Sequence, residues 1–246
     1  MPTTADTGHR KGIVLPLAFA LVLFAGFMTL GVWQVHRLAW KEALIARVDA
    51  RLAASPVPAP GPDEWAAVNR TRSEYRRVSV TGHFATVRPA LVQAATRLGG
   101  GFWVMAPFDD DRGFTVLVNR GFVPDRKTGA APPPSGKRTI TGLLRITEPD
   151  GGFLQSNQPA ADRWFSRDIA AIARTRGLGR TAPYFIDADA AGIDNGKVAG
   201  QPVGGLTVTR FPNSHLSYAI TWFVLAAMSL AGAAWLIRER VRPTRG

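Results

Sequence analysis

Gly12–Val35 reads GIVLPLAFALVLFAGFMTLGVWQV, 24 residues without a single Asp, Glu, Lys or Arg. A second uncharged stretch, Phe211–Ile237 (FPNSHLSYAITWFVLAAMSLAGAAWLI), runs for 27. A helix rises ~1.5 Å per residue, so ~20 apolar residues cross the ~30 Å hydrocarbon core of a bilayer. Both stretches exceed that length. The first also outruns the ~7–15-residue core of a signal peptide, and no small-x-small cleavage pattern follows it, so it reads as a retained anchor. Between them, residues 36–210 are long enough for one domain with its own core.

The fold class that follows is a membrane α+β protein. Two transmembrane helices, N- and C-terminal, flank an antiparallel β-rich extracytoplasmic domain. The boundaries are a cytoplasmic tail 1–11, a span 12–35, the domain 36–210, a span 211–237 and a cytoplasmic tail 238–246. Lys and Arg crowd the outer tip of each span (Arg10 and Lys11; Arg238, Arg240, Arg242 and Arg245). Short basic tails stay cytoplasmic, which places the middle domain on the other side; Arg37, Lys41 and Arg47 pull the opposite way. Of the net charge of +12, the middle domain carries +8, a surface suited to anionic lipid headgroups. No nucleic-acid motif accompanies the charge, and nucleic acid is not expected as a partner. Zero Cys excludes disulfides, thiolate metal sites, covalent heme attachment and cysteine nucleophiles.

Leu38, Lys41, Ile45, Val48 and Leu52 recur at three- and four-residue steps, which continues the first span as a helix until Ser55-Pro56. From Tyr75 the pattern becomes short β-branched and aromatic runs: Val78–Phe84, Ala90–Ala94, Phe102–Phe108, Thr115–Asn119 and Thr139–Ile146. Gly99-Gly100-Gly101, Asp109–Gly113 and Lys127–Lys137 read as the turns between them. Asp168–Arg176 reads as one helix stopped by Gly177, and Pro183–Asp187 as a last strand.

Enzyme chemistry finds little purchase. The histidines at 9, 36, 83 and 215 are too scattered for a short metal motif. His83 falls on the strand face opposite Gly82 and Phe84. Ser135-Gly136-Lys137 sits in a Pro-rich loop, a poor scaffold for a Ser–Lys dyad, and Asp109–Asp111 reads as a hairpin tip. His215 differs. On a helix it shares a face with Tyr218 and Trp222, at the depth where Trp33 of the other span lies. One reading is an interfacial aromatic belt with a histidine among headgroups. The other is an axial heme ligand with flat aromatic walls. His36 is a candidate second ligand.

These residues resemble, in order and over nearly the whole chain, the Surfeit locus protein family of membrane assembly factors for cytochrome c oxidase. The resemblance runs through Gly31, Trp33-Gln34, Arg37 and Trp40-Lys41, then Glu74-Tyr75-Arg76, Val78 and Gly82-His83-Phe84. It continues with Pro107, Val118–Pro124, Gly142, Arg145, Phe153, Asn157, Pro159, Trp164 and Arg167-Asp168, and closes with His215-Leu216, Tyr218 and Thr221-Trp222. Gln155 departs from the proline expected after Phe153. The resemblance implies a non-enzymatic factor that binds heme a transiently and supports its insertion into oxidase subunit I. It implies His215 as the axial ligand to heme iron, with Tyr218, Trp222 and Trp33 as cofactor-binding neighbours. Its implied partners are subunit I, the heme a synthesis machinery and membrane lipid, in a bacterial inner membrane with the middle domain periplasmic. Asn119-Arg120-Gly121 is read as serving the fold as a turn. Two alternatives remain open: a scaffold for an oxidase intermediate that never touches heme, and a membrane-bound hydrolase with an unrecognised site, which loss of function on alanine changes at Ser135 and Lys137 would favour.

Overall fold

The computed structural model describes residues 7–129, 132–152, 155–190, 201–206 and 213–241; Phe153, quoted above, lies outside them. The chain forms two compact units, one of Met1–Arg47 with Arg210–Gly246, the other of Val48–Thr209. The elements in chain order are α1 (Thr7–Ala53), β1 (Val57–Pro58), α2 (Arg70–Ser73), β2 (Arg77–Phe84), β3 (Ala90–Thr96), β4 (Gly99–Asp110), β5 (Phe114–Val123), α3 (Arg126–Gly129), β6 (Arg138–Ile146), α4 (Ile169–Thr175), β7 (Thr181–Ala188) and α5 (His215–Val241).

The helical unit pairs α1 and α5 antiparallel: Phe27 meets Trp222, and Gln34 meets His215. Both helices are long and apolar enough to cross a membrane. Their outer faces expose Leu15, Phe19 and Val22 on α1, and Val224, Met228 and Trp235 on α5, as lipid-facing helices do. On α1 the less exposed positions step through Leu17, Ala20, Phe24, Phe27, Gly31 and Gln34; on α5 through His215, Ala219, Trp222, Ala226, Ser229 and Ala233. Alternating steps of three and four are the 3.5-residue period of knobs-into-holes packing. Small residues let the backbones approach. Ala219 and Ala226 are buried, and the Phe223 ring covers Gly31 so closely that a Cβ there would lie 2.6 Å from it. As expected, α1 continues beyond the apolar run, and it ends at Ala53, three residues before Pro56.

In the second unit, seven described strands form one sheet in the order β1-β2-β6-β7-β5-β4-β3, and β2 also pairs with β4. That extra pairing closes β2, β6, β7, β5 and β4 into a five-stranded barrel, which removes edges an open sheet would leave. The hairpin at Asp111–Gly113 forms as expected, with Gly113 at φ 83°. Two pairings are parallel rather than antiparallel. The short β1 lies beside β2, and β7 lies beside β5 after a crossover that carries β6 and α4.

Val78, Val80, Phe108, Val116, Val118, Ile140, Leu144, Tyr184 and Ile186 fill the barrel. Ile169, Ile172 and Trp164 cover the opposite face of Leu117 and Phe185. With both faces covered, all ten residues of β5 are buried, and this explains a run too apolar to alternate.

Two expected turns are corrected. Gly99–Gly101 opens strand β4, and the hairpin reverses just before it at Arg97-Leu98, with Gly99 at φ 100°. Asn119-Arg120-Gly121 lies inside β5, where three steps along that strand match two along β4. The extra residue makes a β-bulge. Gly121 takes φ 123°, and a Cβ there would sit 2.3 Å from the Val203 carbonyl oxygen. Phe122 and Val203 then exchange both backbone hydrogen bonds. Asn and Gly belong at this point for the reasons they belong in turns, but the strand continues.

One loop carries a pH dependence. Asp162, in the left-handed region at φ 51°, accepts hydrogen bonds from Trp164 Nε1 at 2.7 Å and Arg176 Nη2 at 2.6 Å. Burial pushes its carboxyl up, but these partners outweigh burial and hold it below the ordinary value of 3.8. A carboxyl depressed in the folded state stabilises above its unfolded pKa, and that contribution is lost as pH falls through the folded one. Wild-type stability in denaturant melts is expected to decline below about pH 4, and Asp162→Asn to flatten that acid limb. An unchanged limb would show that the carboxylate contributes nothing.

Candidate functional site

A polar pair sits in the apolar seam of the two helices. Gln34 is 8% exposed on α1, and its Oε1 lies 2.8 Å from Nδ1 of His215, the first residue of α5. The backbone N–H of His215 donates to Asn213 Oδ1 at 3.3 Å, so the side chain is fixed from one ring nitrogen and its backbone from the loop. With the amide oxygen as acceptor, Nδ1 is the donor, and in the neutral form of such a ring the lone pair is on Nε2. Nε2 has no hydrogen-bond partner among the described residues. Trp222, one seam step deeper than Ala219, stacks on Phe27 with centroids 5.8 Å apart.

The four residues singled out from sequence are thus distributed unevenly. His215 and Trp222 share the seam. Tyr218 stands at its margin and Trp33 faces outward, each 55% exposed. Steps of three and four from His215 include Tyr218 on the same broad face, but the seam advances by four to Ala219 before reaching Trp222. Trp33 precedes Gln34 by one residue, about 100° around the helix. His36 is exposed.

The residues set aside in the β domain lie apart from the helical seam. His83 is exposed, with Nε2 4.0 Å from Asp109. Lys137 Nζ pairs with Asp111 at 2.7 Å, on the opposite hairpin rather than with Ser135. No group of three or more His, Cys, Asp or Glu suited to a metal ion occurs among the described residues.

The sequence reading missed a buried ionic network on the outer face of the barrel. Arg145 on β6 donates from Nε to Glu74 at 2.8 Å and from Nη1 to Asp187 on β7 at 3.0 Å. Arg167 grips Glu148 through two hydrogen bonds, at 3.0 and 2.6 Å. Asn119 donates to Asp187 at 2.8 Å and accepts the N–H of Gly121. The Phe185 ring lies under both guanidiniums, 5.9 Å from Arg145 and 4.9 Å from Arg167. Burial opposes the charge of Arg145, yet Asp187 and Glu74 push its pKa above the ordinary arginine value. The signal was present in the sequence: charged residues inside runs that otherwise read as core strand.

Comparison with known proteins is consistent along the chain. The model of the SURF1 family matches residues 21–227. Surfeit locus protein 1 of Rattus norvegicus is 35% identical over 93% of this chain and 76% of its own length. The Homo sapiens protein of that name is 37% identical, over 80% and 69%. A SURF1-like protein of Monosiga brevicollis is 35% identical, over 85% and 83%.

Proposed function

The chain belongs to the SURF1 family of cytochrome c oxidase assembly factors, and from that premise we propose that it binds heme a through His215 and supports its insertion into oxidase subunit I. It does so without catalysis, in a bacterial inner membrane, with the β domain on the periplasmic side toward subunit I and the heme a synthesis machinery. The observation that carries the reading is the Gln34–His215 contact. It holds an imidazole at the end of an apolar helix by its Nδ1, which supports a neutral Nδ1–H ring with Nε2 turned to a ligand.

Neutral imidazole is a good axial ligand, and heme a, when bound, supplies an iron with a coordination position for it. Gln34 fixes the plane of the ring, as partners behind ligating histidines do. Tyr218 and Trp33 add exposed aromatic surface on the two helices, and Trp222 stiffens the floor below. A single imidazole between lipid-facing helices suits a carrier that must later release a greasy macrocycle.

The test is the absorption spectrum of protein purified from heme-a-producing cells. His215→Ala is expected to lose the heme a signal; full retention overturns the assignment. Gln34→Leu, which leaves Nδ1 unpaired, is expected to weaken heme a retention by about 10–100-fold and to shift its spectrum. Gln34→Glu keeps an acceptor and is expected to retain the pigment. Equal retention in all three Gln34 forms would remove the tautomer argument while leaving His215 to be judged by its own variant.

A further inference from the structure

The edge of the sheet at β3 carries a cleft that neither the heme reading nor the ionic network uses. Gln93, Phe102, Arg126, Arg163, Trp164 and Phe165 line about 220 Å³. Its floor is the cross-strand pair Gln93 and Phe102. The next pair on the same face is Ala95 and Gly100, both exposed, with open space where a Gly100 side chain would stand. The glycine run therefore extends the cleft into a trough along the hairpin.

Two guanidiniums flank it. Arg126 lies 4.7 Å over the Phe102 ring and Arg163 6.0 Å over Phe165. Neither guanidinium makes an ion pair or hydrogen bond among the described residues. The neighbouring Asp125 does not neutralise Arg126, because its carboxylate is turned to the N–H and hydroxyl of Thr128 at 2.8 and 3.0 Å. Along the strand edge, Trp164 covers β3 at Val92, and its carbonyl takes the N–H of Gln93. By strand alternation the next outward backbone groups are those of Ala95.

We propose that this trough docks an extended acidic segment of a protein partner, which pairs with the β3 edge at Ala95 and places its carboxylates on Arg126 and Arg163. Planar guanidiniums already seated on aromatic rings are pre-organised to take carboxylates. An open strand edge beside them supplies the main-chain hydrogen bonds of strand addition. The volume favours side chains of a partner over an enclosed small molecule, for which pockets of ~300–1,000 Å³ are usual.

The experiment uses the full chain in detergent and a fluorescein-labelled ten-residue peptide of alternating Glu and Val. Its anisotropy is expected to rise saturably, while a Lys and Val counterpart gives no saturable signal. Arg126→Gln with Arg163→Gln is expected to weaken the Glu peptide at least tenfold, and Gly100→Leu, which fills the trough without touching charge, to weaken it as well. Arg70→Gln with Arg72→Gln, on α2, is expected to leave it unchanged. Unchanged affinity in the first double variant, or an equal loss in the α2 variant, would reduce the effect to general surface charge and overturn the proposal. Displacement of the peptide by hemin at equimolar concentration would assign the cleft to a free dicarboxylate and overturn it too.

Discussion

Gly82→Ala is expected to destabilise the β domain by about 3 kcal/mol or more, enough to leave much of the protein unfolded during purification. The barrel closes where β2 meets β4, at Gly82 opposite Asp110 and Phe84 opposite Phe108. A Cβ on Gly82 would stand 1.9 Å from the Asp109 carbonyl oxygen and 2.9 Å from its carbonyl carbon. Those are backbone atoms of a paired strand, so no side chain can swing away to make room. Relief requires parting β2 from β4, which opens the core between Phe84 and Phe108, whose rings meet edge to face with centroids 5.1 Å apart. Gly100→Ala provides the comparison, since nothing lies within 4 Å of its Cβ position; it is expected to change stability by less than about 1 kcal/mol. Urea melts of both variants, followed by intrinsic fluorescence, decide the matter. If Gly82→Ala melts with Gly100→Ala and wild type, the closure is not the constraint described.

Where a feature depends on neighbours in sequence, the residues declare it. The two spans follow from charge-free length, the hairpin from Asp111–Gly113, and α4 from a buried face of Ile169 and Ile172 capped by the Asp168 carboxylate, which accepts the N–H of Ala171. Closure of the barrel and the parallel pairing of β7 with β5 join residues tens of positions apart, and no local pattern encodes which strands will meet. The Asn119–Gly121 bulge misleads for a related reason. Asn and Gly signal a reversal when the strand has an ordinary neighbour on each side, but here the Asn side chain is engaged by Asp187 and the glycine admits Val203.

The candidate ligand shows the same division. His215 is conspicuous because an ionisable ring opens an apolar helix. Gln34 hides, since beside Trp33 it reads as a border residue. Only its register with Phe27 and Gly31 places it in the seam, and only the partner helix shows what it holds. The antiparallel contact, not either helix alone, makes His215 a directed group.

Arg145→Leu is expected to cost about 3–5 kcal/mol, the penalty for removing the main cation from two buried carboxylates, even though Arg167 Nη1 still lies 3.8 Å from Asp187. Asp187 is 4% exposed and Glu74 8%, so neither can turn to water. Their proximity to one guanidinium also explains why lysine is a poor replacement. Arg145 spans Glu74 from Nε and Asp187 from Nη1, whereas an ammonium is a single point and cannot reach both; Arg145→Lys is expected to lose about 1–3 kcal/mol. The consequences reach α1. Arg51, in its last turn, donates to the carbonyls of Glu74 and Thr71 at 2.8 and 2.6 Å, so the residue that anchors Arg145 also receives the end of the long helix. Leu at 145 should therefore loosen the 51–74 contact as well as the barrel, seen as faster amide exchange at Thr71–Tyr75. A double-mutant cycle of Arg145→Leu with Asp187→Leu separates the pair from its surroundings. A coupling near zero, with the single Arg145 variant within about 1 kcal/mol of wild type, would mean the network is solvated and contributes little to the β domain.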